Sequence, residues 1–350
     1  MSTDTNTVPF SKGAVVVTSI SHPNKVLQAI TQGCSDNGSS FIIVGDSKSP
    51  DSFSLDGSLY FSLAAQEKLP FAYAQVCPVR NYARKNIGYL AAIQNGARFI
   101  AETDDDNYPT ETFWEDRSIC REAEAVVGQG WQNVYACFAD SFIYPRGFPL
   151  NKARSPENQA SRESDSLTTV TAPIQQGLAD ENPDVDAVYR MLFPLPFVFN
   201  QGAPVFLKQG QWCPFNSQNT TFFPQAFPLL YLPTYCSFRM TDIWRSFVAQ
   251  RVLWTCGWNI VFHSASVRQD RNEHDLMKDF REELSGYDNN EQIAETLSSL
   301  PLRTGSSEMP GNLLMCYEAL VGLNWIGKEE LPLLEAWLRD LVSMSFLPPE

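Results

Sequence analysis

Histidine is nearly absent from this chain: there are three among 350 residues, His22, His263 and His274. That leaves little imidazole for a zinc centre, and the eight cysteines contain no Cys-x-x-Cys pair that could supply thiolates instead. Most of them sit in apolar company, as at Cys137, Cys256 and Cys316, which suits buried free thiols in a reducing cytosol better than a disulfide framework. Basic charge is also scarce. Against 40 Asp and Glu stand 26 Lys and Arg, a net charge of −14, so no surplus exists for nucleic-acid backbones or anionic membranes. No apolar run approaches the length of a membrane span, and the polar stretch from Met1 to Phe10 lacks the apolar centre of a signal peptide. The expectation is a soluble, cytoplasmic protein without a nucleic-acid partner.

What is present is a globular composition, 43% apolar and 12% aromatic, long enough for one large domain or two. The first hundred residues alternate strands and helices. Ala14–Thr18 and Phe41–Val44 read as buried strands, Asn24–Gln32 and Arg84–Asn95 as helices, and the run from Arg98 to Thr103 as a third strand. Near-continuous apolar strands with helices between them predict an α/β fold with a mostly parallel central sheet. Residues 111–140 suggest a helix and then a strand at Asn133–Phe138, and the polar stretch near 151–180 reads as a mobile loop. Pro and Phe crowd residues 191–233, which argues for a packed wall of aromatic loops and short strands. Asp242–Trp254 carries a helical apolar stripe, Asn259–Phe262 a last strand that delivers His263, and residues 290–345 two or more helices. The expected organisation is a flexible segment 1–12, a main domain 13–275 and a helical extension 276–350 packed on it.

Asp104-Asp105-Asp106 is the most informative stretch, because it follows a strand and precedes a loop. Carboxylates there lie at the sheet edge where open α/β sheets bind ligands, and alternation lets Asp104 and Asp106 share one divalent cation. An acidic turn or a helix cap explains the triplet as well. His263, at a strand end, is either a third ligand for Mn²⁺ or Mg²⁺ or a hydrogen-bonded structural residue. Arg84 and Lys85, at a helix start, are either an anion site or a solvated surface pair. Asp242 is either a cap or a carboxylate near the acceptor, acting as a base or orienting a hydroxyl. Arg146, in a Pro/Gly turn, has a surface residue as its plain reading.

Four segments together carry a resemblance. They are Tyr82-Ala83-Arg84-Lys85-Asn86-Ile87-Gly88-Tyr89-Leu90, Glu102-Thr103-Asp104-Asp105-Asp106-Asn107, Phe215-Asn216-Ser217-Gln218-Asn219, and Phe238-Arg239-Met240-Thr241-Asp242-Ile243-Trp244-Arg245 with Ala249-Gln250-Arg251. The combination resembles the STELLO family of glycosyltransferases. It is more distantly similar to the UDP-arabinopyranose mutases, or reversibly glycosylated polypeptides, through Arg146-Gly147-Phe148-Pro149, Asn182-Pro183-Asp184-Val185-Asp186-Ala187 and His263-Ser264-Ala265-Ser266.

Both resemblances imply a GT-A type, Rossmann-like domain. In it Asp104, Asp106 and His263 would hold the metal, Asp105 would lie nearest the sugar or ribose, and Arg84 near the diphosphate. Arg146 would match an arginine that becomes glycosylated, with Arg154 near a second, offset by one residue. The function expected is metal-dependent transfer from a nucleoside diphosphate-sugar, with uridine the expected base, lying across Thr18, Asp46 and the acid triplet. Asp242 would face an unidentified glycan, protein or small-molecule acceptor, and aromatic residues of 193–227 would form an acceptor wall. Two alternatives stand beside it: a mutase or self-glycosylating protein using Arg146, and a non-catalytic GT-A-shaped scaffold. The plant STELLO membrane anchor and cellulose role are not expected to transfer, and homo-oligomerisation is left open.

Overall fold

The computed structural model describes residues 6–163, 167–270 and 275–347. Ala14–Thr18 (β1), Ser40–Val44 (β2), Leu59–Phe61 (β3) and Ile100–Thr103 (β4) form a parallel set in the order β3-β2-β1-β4. The apolar side chains of β1, β2 and β4 have almost no exposure, as strands covered on both faces require, whereas the edge strand β3 leaves Leu59 exposed. Lys25–Asn37 (α1) is capped by Asn24, whose side chain accepts the Leu27 amide, and stops at Gly38 in the left-handed conformation. Lys85–Gln94 (α2) lies so close to the sheet that a Cβ on Gly88 would come within 2.7 Å of both Val16 and Val44.

Asn107–Pro109 (β5), Cys120–Val127 (β6), Ile174–Asp180 (β7), Val205–Leu207 (β8), Asn219–Phe222 (β9) and Ile260–Gln269 (β10) complete most of a twelve-stranded sheet. It continues from β4 through β9, β7, β10 and β8 to β6, with β5 beside β10. Here the mostly parallel expectation needs correction. β9 runs antiparallel to both β4 and β7, and β8 antiparallel to β10, so the sheet is mixed. The reversed strand was hidden from hydrophobic patterning because its interior is polar. Thr220 and Gln176 of adjacent strands are buried and hydrogen-bonded to each other at 2.9 Å.

Residues 111–140 differ too. Glu111–Trp114 is one 3-10 turn, β6 occupies the region read as helix, and Val134–Phe138 is a 3-10 turn rather than a strand. Glu and Ala favour helix locally, but β6 gains more by pairing with β8 and Thr168–Thr171 while burying Ala123 and Val126. The mobile-loop expectation near 151–180 fails where Ser161–Arg162, Thr168–Thr171 and β7 are paired, and its residues 164–166 lie outside those described. The flexible segment 1–12 is likewise tied down where it is described. Thr7–Val8 pairs with Arg117–Ser118, and buried Phe10 packs on Phe99, Phe113 and Trp114.

After Ala187–Leu192 (α3) come the helices Thr241–Thr255 (α4), Leu276–Ser299 (α5), Met309–Gly322 (α6) and Glu330–Ser343 (α7). They are bound into the same core rather than appended to it. Trp337 of α7 sits among Tyr73 and Tyr231. Glu330 accepts the Tyr231 hydroxyl and the amides of Thr234 and Tyr235, and Asp340 accepts those of Ala72 and Tyr73.

Candidate functional site

The carboxyl ends of β1, β2 and β4 open on one edge of the sheet, and each delivers a polar side chain there. Beyond half-buried Thr18, the Ser19 hydroxyl donates to Asp105 Oδ2 at 2.5 Å, and Asn24 Nδ2 donates to the Asp105 carbonyl at 2.8 Å. Burial raises the Asp105 pKa, against the opposing pull of Ser19. After β2, the Asp46 carboxylate accepts the amides of Arg80 (2.8 Å) and Asn81 (2.9 Å). This holds Arg80 at a φ of 57°, a left-handed conformation unusual for Arg, with its side chain exposed at the edge.

Asp104, at the end of β4, receives the Tyr82 hydroxyl (2.8 Å) and Lys85 Nζ (3.2 Å), both on Oδ1. Lys85 has no exposure, whereas the Asp104 side chain is 30% exposed. The ammonium also donates to the Thr103 carbonyl and to Tyr82 Oη, so its charge is fully partnered. From Tyr82 the network runs inward. Its hydroxyl meets Ser217 Oγ at 2.7 Å, and Ser217 donates through its amide and hydroxyl to Asp242 Oδ2. Asp242 pairs with Arg146, which grips Asp184 through Nε and Nη2 at 2.8 Å each. The turn that aims Arg146 needs Gly147, whose φ is 86° and where a Cβ would lie 2.4 Å from Ile243. One continuous network thus joins the acid triplet to the Arg146 turn.

This geometry reassigns several expected roles. Burial alone would raise the Asp242 pKa, but Arg146 overrides it and holds the carboxyl well below the usual range. A buried carboxylate committed to a guanidinium is a poor proton acceptor, so Asp242 positions Ser217 and Arg146 rather than acting as a base. Arg146 is itself buried, and its Nη1 donates to the Arg239 carbonyl, leaving no open face for glycosylation. Arg154 stacks over Phe142 and Phe193 instead of joining it. Arg84 is buried, bonded to Gln66 and to the carbonyls of Cys77 and Pro78, so it shapes the loop before Arg80 and offers nothing to a phosphate.

His263 is not at the triplet. β10 does not end there but continues to Gln269, and His263 stands opposite Gly177 of β7. Thr103 is opposite Asn219 and Thr220 opposite Gln176, so His263 lies three strand spacings from β4, roughly 14 Å at ~4.8 Å per spacing. Burial, then Arg117 and Arg121, push its pKa down to about 3, and its Nδ1 donates to the Ser264 carbonyl. Among the described residues, no three His, Cys, Asp or Glu side chains converge as a metal cluster. Asp106 is held instead by Gln269 Nε2, at 3.1 and 3.2 Å from its two oxygens. The expected acceptor wall also fails, since Phe199, Phe222, Phe223 and Phe227 are buried in the core. Tyr82 and Ser217 lacked an assigned role, and Lys85, expected in an anion site or a solvated surface pair, is buried and spends its charge on Asp104. The Tyr82/Lys85 spacing of one helical turn was the available signal.

A second buried carboxylate sits behind the network. Asp186 caps α3 through the Tyr189 amide (2.7 Å) and accepts the Tyr144 hydroxyl, while its Oδ2 is buried without a hydrogen-bond partner among the described residues. Burial, reinforced by nearby Glu283, pushes its pKa up to about 7. The folded protein then keeps a proton that the unfolded chain releases, so this group costs stability as pH rises from about 4 to 7, by about 1.4 kcal/mol per unit. Asp186→Asn, which keeps the capping oxygen, is expected to narrow the difference in melting midpoint between pH 5 and pH 8. Equal differences in both proteins would refute the assignment.

Residues 239–350, which begin at the loop before α4 and run through the C-terminal helices, match the family model of the STELLO glycosyltransferases. The chain is 28% identical to Probable glycosyltransferase STELLO2 of Arabidopsis thaliana over 96% of its own length, and equally to Probable glycosyltransferase STELLO1 of the same plant. It spans 45% of the length of each. The expected resemblance is borne out.

Proposed function

We propose that this chain, whose residues 239–350 match the STELLO glycosyltransferase family model, transfers a sugar from a nucleoside diphosphate-sugar, with UDP the expected carrier, using a GT-A type arrangement at the edge described above. The observation that carries this reading is the fixing of a partly exposed carboxylate, Asp104, by Tyr82 and buried Lys85 at the carboxyl end of a parallel strand. A structural acidic turn needs no buried ammonium behind it.

The chain's groups have separate tasks in this reading. Asp46 fixes the loop 80–81 that would border the nucleoside beside Thr18, and Arg80, rather than Arg84, brings a positive charge to the diphosphate. Asp104 keeps Oδ2 for a ligand, and Asp106 lies on the same loop. One or two carboxylates completed by substrate phosphates suit Mg²⁺ or Mn²⁺, so the lack of a protein triad among the described residues does not misfit the ion. When bound, the ion would neutralise charge on the departing diphosphate. His263 has no part in it.

The test is a thermal-shift screen of UDP-, GDP- and CMP-sugars with and without Mn²⁺. UDP-sugars are expected to raise the midpoint through preferential binding to the folded state, and more so with the ion. If none of the three classes shifts it, a non-catalytic scaffold becomes the better reading. The self-glycosylating alternative predicts label from a UDP-sugar on Arg146, which its closed environment opposes.

A further inference from the structure

The edge beside Asp104 carries an aromatic ring that the fold leaves largely in water. Phe238 is 59% exposed, yet its backbone neighbours are all fastened. The Ser237 hydroxyl donates to the Glu282 carbonyl of α5, the Arg239 guanidinium pairs with buried Glu283 at 2.8 Å, and the Arg239 carbonyl accepts Arg146 Nη1. The ring meets that of Tyr82 edge to face at 5.8 Å between centroids, and the Tyr82 hydroxyl donates to Asp104. Tyr235, 38% exposed, lies on the same short loop, which Glu330 of α7 anchors through the Thr234 and Tyr235 amides. An exposed aromatic ring on an immobilised backbone is presented, not stranded: it loses little conformational entropy when something packs on it.

We propose that Phe238 is the stacking platform for the sugar ring of the acceptor. The proposal rests on the nucleotide-sugar reading of the same edge and adds the acceptor's class. A pyranose offers a C–H face for the ring and hydroxyls for the polar groups beyond it, Asp104 among them through Tyr82. A lipid chain would find little beyond the Phe238 and Tyr235 rings there, too little apolar surface to hold it. This assignment replaces the aromatic wall of residues 193–227, where Phe199, Phe206, Phe215, Phe222, Phe223 and Phe227 serve the core.

The test uses the whole chain with UDP, Mn²⁺ and a set of methyl pyranosides, followed by saturation-transfer NMR. Wild type is expected to transfer saturation from aromatic protons to one face of at least one pyranoside. Phe238→Ala should weaken that pyranoside's affinity about tenfold, and Phe238→Trp should retain it. UDP with Mn²⁺ should raise the melting midpoint of wild type and both variants alike, which also shows that they fold. A pyranoside signal unaffected by Phe238→Ala, or no pyranoside signal while UDP still binds, overturns the platform and leaves the donor reading standing. Failure of UDP to bind even wild type removes the donor reading, and the platform with it.

Discussion

Asp104→Asn is expected to slow sugar transfer by roughly 10²–10³-fold and to remove the Mn²⁺-dependent part of the midpoint shift given by a UDP-sugar. Asparagine preserves the shape and keeps an oxygen for the Tyr82 hydroxyl and Lys85, both of which bond Oδ1 in the native protein. It removes the negative charge that a divalent cation requires. Some stability goes as well, because Lys85 is wholly buried and loses its counter-ion, although the Thr103 carbonyl and Tyr82 still accept from it. Comparing midpoints with and without nucleotide separates the two effects. A variant whose Mn²⁺-dependent shift equals that of wild type would end the case for Asp104 as a ligand.

Glu102→Ala should produce the largest loss of stability, about 3–5 kcal/mol. Glu102 lies inside β4 with no exposure and holds Arg245 of α4 through two bonds of 2.6 and 2.9 Å, with the Tyr89 hydroxyl of α2 on the same carboxylate. Burial works against the Arg245 charge, and Glu102 restores it. Truncating the acid leaves a guanidinium in the core among Phe215 and Phe222 without its bonded counter-ion, the nearby Asp242 being already committed to Arg146. Against a typical total of ~5–15 kcal/mol, that is a large fraction. Glu102→Leu combined with Arg245→Met removes both charges and is expected to recover most of the loss. Urea midpoints of the single and double variants decide it. A single variant within about 1 kcal/mol of wild type would show the pair to be dispensable.

These two acids are adjacent but one in the chain, and the sequence presents them alike. Asp104 was legible as a site residue because it ends an apolar strand, a local pattern. Glu102 was not legible as a core residue, because only the arrival of Arg245, 143 positions away, makes burying it tolerable. Arg146 and Asp242 show the same division. Each stood out by its setting, one in a Pro/Gly turn and the other at a helix start, and each was assigned chemistry. Their 96-residue separation hid the fact that they neutralise one another.

What the sequence determined by itself was the repeating strand-helix start, α4, the C-terminal helices and the placing of Asp46 and the acid triplet at strand ends. All of these follow from short-range periodicity and capping. The tertiary structure decided the reversed strand β9, the continuation of β10 past His263, the identity of Lys85 and Tyr82 as the partners of Asp104, and the exposure of Phe238 rather than the phenylalanines before it. The physical reason is that desolvation and charge pairing depend on which distant segments meet. A buried polar strand or a partnered lysine therefore carries no mark in its own neighbourhood of chain.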